Sequence, residues 1–227
     1  MNKTLAKNRR LHNRLLDEFY AEGCEIVAGV DEVGRGSWAG PVTAAAVVLP
    51  RNIRIVGVTD SKQLTAVDRL RLNRVIKQRA LAVGLGWSSP AEIDAHGLTW
   101  AVRQSGLRAL QSMKVDYQAV LLDGNHNYLR DHCRSQAVIK ADGRCLSVAA
   151  ASIVAKVARD NFMHYQHRLY PQFGFATNVG YGTAAHRRAV RDGLSPLHRR
   201  LFQPVMLAQT AAAQAQFMEM IGVREDD

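Results

Sequence analysis

Asp31 and Glu32 stand side by side at the end of an apolar run, Ile26–Val30, and the glycine-rich stretch Gly34-Arg35-Gly36 follows at once. A carboxylate at the end of a buried strand carries a heavy desolvation cost unless a cation or metal ion offsets it. An isolated Asp-Glu pair is most simply a solvated strand end before a turn. Neighbouring strand residues also point to opposite faces, so both acids serve one site only where the strand twists or ends, or where metal ions bridge its edge. Further acids point the same way. A second apolar run, Ala119–Leu122, ends at Asp123, and the short segment Val138–Ile139 leads into Lys140-Ala141-Asp142. Gathered at strand ends of one sheet, such carboxylates make a hard oxygen site that selects Mg2+ or Mn2+, whereas His or Cys ligation has no support in the chain. Metal pairs held by carboxylates catalyse in-line displacement at phosphodiesters. The glycines around Arg35 let the backbone approach a ligand closely, where N–H groups and the arginine meet phosphate or sugar oxygens.

Composition agrees with such a substrate. Thirty Lys and Arg against 20 Asp and Glu give a net charge of +10. That balance favours polyanionic partners through phosphate contacts and counterion release, although membrane-surface binders and plainly soluble proteins are also basic. A hydrophobic content of 47% excludes global disorder, and runs such as Ala44–Leu49 are far too short to span a bilayer. Cys24, Cys133 and Cys145 are odd in number, widely spaced and free of any C-x-x-C pair. This argues against a disulfide scaffold or structural zinc and for a reducing compartment. The N-terminus is basic at Lys3, Lys7, Arg9 and Arg10 but lacks the apolar core of a secretory signal. A soluble, cytoplasmic, monomeric protein with no membrane attachment is expected.

The elements that must position these residues are legible in outline. Leu11, Leu15, Leu16, Phe19 and Tyr20 recur at helical spacing and predict an amphipathic helix over the first twenty residues. Ile26–Val30 and Val42–Leu49 read as buried strands separated by a Gly-rich turn. Helical patterns cover about 66–82 and 99–113, with a strand near 81–86 between them, and Ala119–Leu122 is strand-like up to the turn Asp123-Gly124-Asn125. From Leu146 to about Tyr170 the pattern is helical and rich in alanine, which implies close approach to a neighbour; helices follow at about 184–191 and 204–221. Strands first and helices later predict an α/β domain with a mixed sheet and a helical C-terminal part. Its parts are an N-terminal helical extension over 1–22, a catalytic domain over 23–195 and a helical segment over 196–227.

The motif running from Val27 through Asp31 and Glu32 to Gly34-Arg35-Gly36, with Ala39-Gly40-Pro41-Val42 after it, resembles the signature of the ribonuclease HII family. The likeness continues in order with Asp60-Ser61-Lys62-Gln63-Leu64, Leu122-Asp123-Gly124-Asn125, and Ala149 through Ser152, Lys156 and Arg159 to Asp160. It ends with Gly180-Tyr181-Gly182-Thr183, His186, and His198-Arg199-Arg200 before Phe202. The resemblance spans about Ile26 to Val205. It implies an RNase H-like fold and a nuclease that uses two Mg2+ or Mn2+ ions. The expected substrates are RNA·DNA hybrids and duplex DNA carrying single ribonucleotides, with 5′-phosphate and 3′-hydroxyl ends as products. It also implies Asp31, Glu32, Asp123 and Asp142 as the acidic site. Backbone groups of Gly34, Arg35 and Gly36 would contact the 2′-hydroxyl, which distinguishes RNA from DNA, and Tyr181 would pack near the sugar. Lys62, Lys156 and Arg159 are implied phosphate contacts.

Two positions depart from the family pattern. Lys140-Ala141-Asp142 stands where Lys-Gly-Asp is common, and Gly180-Tyr181-Gly182-Thr183 where Gly-Tyr-Pro-Thr is common. Alanine tightens the backbone before Asp142, and glycine after Tyr181 loosens a turn that proline would fix. Plainer roles compete at several residues. Asp60 and Lys62 would pair or cap a loop, Asp160 would ion-pair along its helix, His186, the histidine best placed for the site, would pack in the core or lie on a solvated helix face, and Trp38 would wedge its loop against the body. A nicotinamide enzyme is disfavoured because Pro41 starts another strand where a dinucleotide-binding turn needs a helix. A binding-only module is disfavoured by the acids, and a DNA nuclease of the same fold by the ribose-sensing motifs. The Gln-x-x-x-Met pattern at Gln216–Met220 lacks the aromatic pair of a clamp-binding tail.

Overall fold

The structure, a computed structural model, describes residues 13–220, and the side chains of all of these except 212 and 214–220. Most of the helix expected over the first twenty residues, with its basic side chains, lies outside that range. Within it, a 3-10 turn at Arg14–Leu16 leads into α1 (Asp17–Ala21). There follow β1 (Val27–Val33), β2 (Val42–Val48), α2 (Ala66–Arg79), β3 (Ala82–Ser88), α3 (Pro90–His96), α4 (Leu98–Ser112), β4 (Ala119–Asp123) and β5 (Ser135–Val138). The helices α5 (Leu146–His167), α6 (Phe175–Asn178), α7 (Ala184–Asp192) and α8 (Gln203–Met220) complete the described chain. None of the described helices is long and apolar enough to cross a membrane.

The chain divides into two compact units. The first holds the described residues up to Val33 together with Val42–Ser88 and Val102–Arg159. Its five-stranded sheet has the order β3-β2-β1-β4-β5, with β1–β2 and β2–β3 antiparallel and β1–β4 and β4–β5 parallel. This is the mixed sheet expected. Every residue of β2 is buried, as a central strand covered on both faces requires. One core cluster joins Ala45, Val47, Leu72 and Ile76 to Ala150, Ile153 and Val154 of α5; another joins Leu16, Phe19 and Val27 to Leu121, Cys145 and Val148. The first turn of α5 meets the sheet at Gly29, where an added Cβ would fall 2.5 Å from backbone atoms of Ser147 and Val148.

The second unit holds Gly34–Pro41, Ser89–Ala101 and the described residues from Asp160 onward. Its cores form around Phe173, Phe175 and Met163, and around Val190, Val205 and Ala208. Two elements differ from the pattern-based expectation. The helix expected from about residue 99 is preceded by α3, whose start is a capping box in which Ser89 and Glu92 bond each other's backbone, with Pro90 in the first turn. The signal there lies in the cap and not in periodicity. Of the apolar pair Val138–Ile139 only Val138 belongs to a strand, as the last residue of β5, which sits at the sheet edge half exposed and so lacks a strong alternating pattern; Ile139 lies in the turn that follows.

Candidate active site

All four acids belong to the first unit. Parallel pairing of β1 and β4 sets Val30 opposite Leu122, which brings Asp31 and Asp123 to the same end of neighbouring strands. Pairing of β4 and β5 sets Asp123 opposite Val138, and the chain then turns through Lys140, in the left-handed region at φ 57°, into a 3-10 turn at Ala141–Gly143. Asp142 therefore sits in this turn, ahead of α5 and not on it. Asp123 ties the turn down: its Oδ1 accepts the amide of Ala141 at 2.7 Å and that of Asp142 at 3.5 Å. The Ala141 methyl is fully buried in the core cluster with Val27, Ala119 and Cys145. That contact explains how alanine anchors a turn for which the family commonly has glycine.

Asp31 is 7% exposed and Asp142 8%. Burial raises the Asp31 carboxyl well above its ordinary range, and the charges of Glu32, Asp123 and Asp142 raise it further against a hydrogen bond from Ser152. Burial, Asp123 and Asp60 push Asp142 up to about 6, with Lys62 opposing them. The four carboxylates thus share one field with too little positive charge to settle it. Among the described residues, no three His, Cys, Asp or Glu side chains already meet at ligand spacing. The donors are hard carboxylate oxygens whose charged forms need a cation, which fits a divalent metal.

The Asp31 side chain accepts the Glu32 amide at 2.8 Å, and the Tyr128 hydroxyl reaches Glu32 Oε2 at 3.4 Å. Ser152, which bonds Asp31, also pairs with Ser61 at 2.9 Å. Asp60 caps the turn at Ser61–Gln63 by accepting the Lys62 amide at 2.9 Å, so the capping role expected for it is real. Yet Asp60 and Lys62 both act on Asp142, and that role was invisible before the chain folded. Lys62 is exposed and Lys156 half-buried, whereas the Arg159 side chain is fully buried. A direct phosphate contact by Arg159 is therefore not available in this conformation.

Gly34, Arg35, Gly36 and Tyr181 belong to the second unit. The Trp38 amide donates to the Gly180 carbonyl at 2.8 Å, tying the Gly34–Pro41 loop to the turn that carries Tyr181. Tyr181 is 36% exposed, while its carbonyl accepts the Thr183 amide at 2.8 Å. Of the readings open for His186, a place in the site, core packing or a solvated helix face, the solvated face is excluded: it is fully buried, and its Nδ1 lies 2.9 Å from the same carbonyl. Trp38 wedges its loop, as the plainer reading had it. A Cβ on Gly182 would come within 2.3 Å of the Trp38 indole. Glycine at 182 thus does not leave the turn loose, because the indole fills the space that a side chain would need. Gly182→Ala should destabilise the protein by about 1–3 kcal/mol, the usual effect of overpacking. Adding Trp38→Leu should recover at least half of that. Denaturation of the single and double variants checks this, and simple additivity would disprove the coupling.

A family model described as Ribonuclease HII matches residues 28–205. A ribonuclease HII from Chloroflexus aggregans is 45% identical over 192 residues, 82% of this chain and 90% of that protein. The crystal structure of ribonuclease H2 from Pyrococcus horikoshii OT3 is similar with a TM-score of 0.72 at 26% identity, covering 83% of this chain and 99% of that one. Bst-RNase HIII in complex with Mn2+ shares the fold, with a TM-score of 0.65 at 20% identity over 83% of this chain and 70% of that one. The mixed sheet flanked by helices is therefore an RNase H-like fold. With a family model covering most of its length and a relative 45% identical over 82% of it, the chain belongs to the ribonuclease HII family, metal-dependent endonucleases of the ribonuclease H type.

Proposed function

We propose that this protein hydrolyses the RNA strand of RNA·DNA hybrids and cuts on the 5′ side of single ribonucleotides in duplex DNA, leaving 5′-phosphate and 3′-hydroxyl ends. The observation that carries the chemistry is Asp31, buried among Glu32, Asp123 and Asp142 with its carboxyl driven toward the neutral form. In this reading those four acids hold Mg2+ or Mn2+. A bound pair of such ions supplies an activated water and stabilises the leaving oxygen of an in-line displacement. Asp123 fixes the Asp142 turn through two amides, and Ser152 orients Asp31. Gly34, Arg35 and Gly36 read the 2′-hydroxyl, Tyr181 packs on the sugar, and Lys62 and Lys156 hold phosphates. The protein works in the cytoplasm as a monomer.

Cleavage of a labelled duplex carrying one ribonucleotide, beside an all-DNA control, with Mg2+, Mn2+ or excess chelator, tests this. Metal-dependent cutting 5′ of the ribonucleotide alone is expected; cutting of the control would replace the reading with a DNA nuclease. Binding without cutting would replace it with a binding module.

The acids also predict how metal and pH act on stability. A group whose pKa is raised on folding favours the native state at low pH, and that contribution is lost as pH rises through the folded value. For Asp142 the loss runs from the ordinary carboxylate range up to about 6, and Asp31 shifts in the same direction. His198 runs the other way: burial and His186 lower it to about 4, so its contribution is present above its ordinary value of 6.5 and fades below. A divalent ion offsets only the carboxylate charge. Mn2+ should therefore raise the melting temperature by several degrees at pH 8 and much less at pH 5. Equal shifts at the two pH values would argue against these acids as the metal site.

A further inference from the structure

Resting on the reading of Gly34–Gly36 as the ribose-contacting loop, we propose that Arg199 is a positioning residue that turns the Arg35 and Gly36 amides outward as donors for the 2′-hydroxyl oxygen. The Arg199 side chain is fully buried. Its Nη2 donates to the Gly34 carbonyl at 2.6 Å and its Nη1 to the Arg35 carbonyl at 2.9 Å. Nε and Nη2 also reach the Gly40 carbonyl, at 3.0 and 2.9 Å. One planar fork thus gathers carbonyls from both ends of the loop. A peptide unit is planar and, in the trans form, its N–H points opposite to its C=O. None of the described peptide bonds is cis. With the Gly34 and Arg35 carbonyls both aimed at the guanidinium, the amides of Arg35 and Gly36 both face away from it. Arg35 and Gly36 are exposed. Consecutive amides aimed to one side form a concave donor pair suited to an oxygen of partial negative charge.

The same short segment anchors the tyrosine. The Ser195 amide donates to His198 Nδ1 at 2.9 Å, so that nitrogen accepts and Nε2 carries the proton. His198 Nε2 lies 3.0 Å from His186 Nε2, which must then accept, leaving His186 Nδ1–H to donate to the Tyr181 carbonyl at 2.9 Å. Main-chain bonds from Arg199 to the Trp38 carbonyl at 2.9 Å and from Gly40 to the Leu197 carbonyl at 2.8 Å complete the strap. Ser195–Arg199 therefore fixes both sugar-contacting parts of this unit through one stretch of chain.

Arg199→Lys tests the proposal, because a single ammonium cannot span three carbonyls in a plane. Its turnover on the single-ribonucleotide duplex should fall by about 30-fold or more, the scale of a small misplacement, with affinity for all-DNA duplex within about threefold of wild type. The decisive readout is the 15N amide signals of Arg35 and Gly36 in chelator. In the wild type they should shift differently with ribonucleotide-containing and all-DNA duplex, and in Arg199→Lys that difference should vanish while the spectrum stays dispersed. Identical wild-type shifts with the two duplexes would overturn the proposal, as would a folded Arg199→Lys that keeps the wild-type difference. If Arg199→Lys does not fold, the wild-type comparison decides alone. A wild type that does not select ribonucleotides in the cleavage assay would overturn the parent reading and this one together, whereas selective cutting with indifferent amides overturns this one alone.

Discussion

An Asp31→Asn protein is expected to lose about 10³-fold or more in turnover, some 4 kcal/mol of transition-state stabilisation, and yet to melt at a higher temperature than the wild type in chelator at pH 8. The amide keeps an oxygen to accept the Glu32 amide, a bond the carboxylate makes at 2.8 Å, so that bond survives. What it removes is charge. Asp31 is buried beside Glu32, Asp123 and Asp142, all of which oppose its ionisation. A buried like-charge cluster destabilises the native state at any pH that ionises it, and losing one member relieves that. Melting curves in chelator and with Mn2+, alongside cleavage of a ribonucleotide-containing duplex, check both halves. Retained cleavage would remove Asp31 from the metal site, and a lower melting temperature would show that its charge is already compensated. Asp123→Asn should lose activity similarly, and its remaining side-chain oxygen can still accept the amides of Ala141 and Asp142.

Gly29→Ala should have the largest effect on folding. Its methyl would meet the carbonyl carbon of Ser147 and the nitrogen of Val148 at 2.5 Å and the Ser147 Cβ at 2.8 Å. These are mostly backbone atoms of a helix, with no flexible tip to swing aside, so α5 as a whole must move. The expected loss is about 3 kcal/mol or more, a large share of the roughly 5–15 kcal/mol that holds a domain folded. Activity should fall with it, because Ser152 of α5 bonds Asp31. Gly143→Ala, where nothing lies within 4 Å of the added methyl, serves as the control and should change stability by less than about 0.5 kcal/mol. Urea denaturation of both variants decides the matter, and comparable losses would mean that the close approach at Gly29 is not what limits α5.

Much of this architecture was readable beforehand where a single segment held the whole signal. Asp31 and Asp123 were legible because each ends an apolar run, and a strand end needs no distant partner to be recognised. The alanines of α5 announced a close neighbour, although only the fold shows that the helix backbone at Ser147 and Val148 comes down on Gly29. Other features were illegible because they depend on residues far apart in the chain. Asp60 reads as a loop cap, which it is, and nothing local reveals that it also loads charge onto Asp142. Arg199 reads as one of several basic residues near the end of the family motif. Its contacts with Gly34, Arg35 and Gly40 join positions some 160 residues away, which no local pattern encodes. Gly182 looked like a loosened turn because the indole that fills its space comes from Trp38.

The strand order carries a consequence for how the chain is made. β1, β2 and β3 pair as an antiparallel run, so they leave the ribosome in the order in which they assemble. The other edge of β1 waits for β4, whose Ala119 pairs with Val27, and Asp142 comes later still, after β5. Until then Asp31 and Glu32 project from the end of an open strand edge that has no second carboxylate strand beside it. A chain stalled at any point before Asp142 lacks one of the four acids proposed to hold metal, so in that reading the site is completed only after β5 has been made.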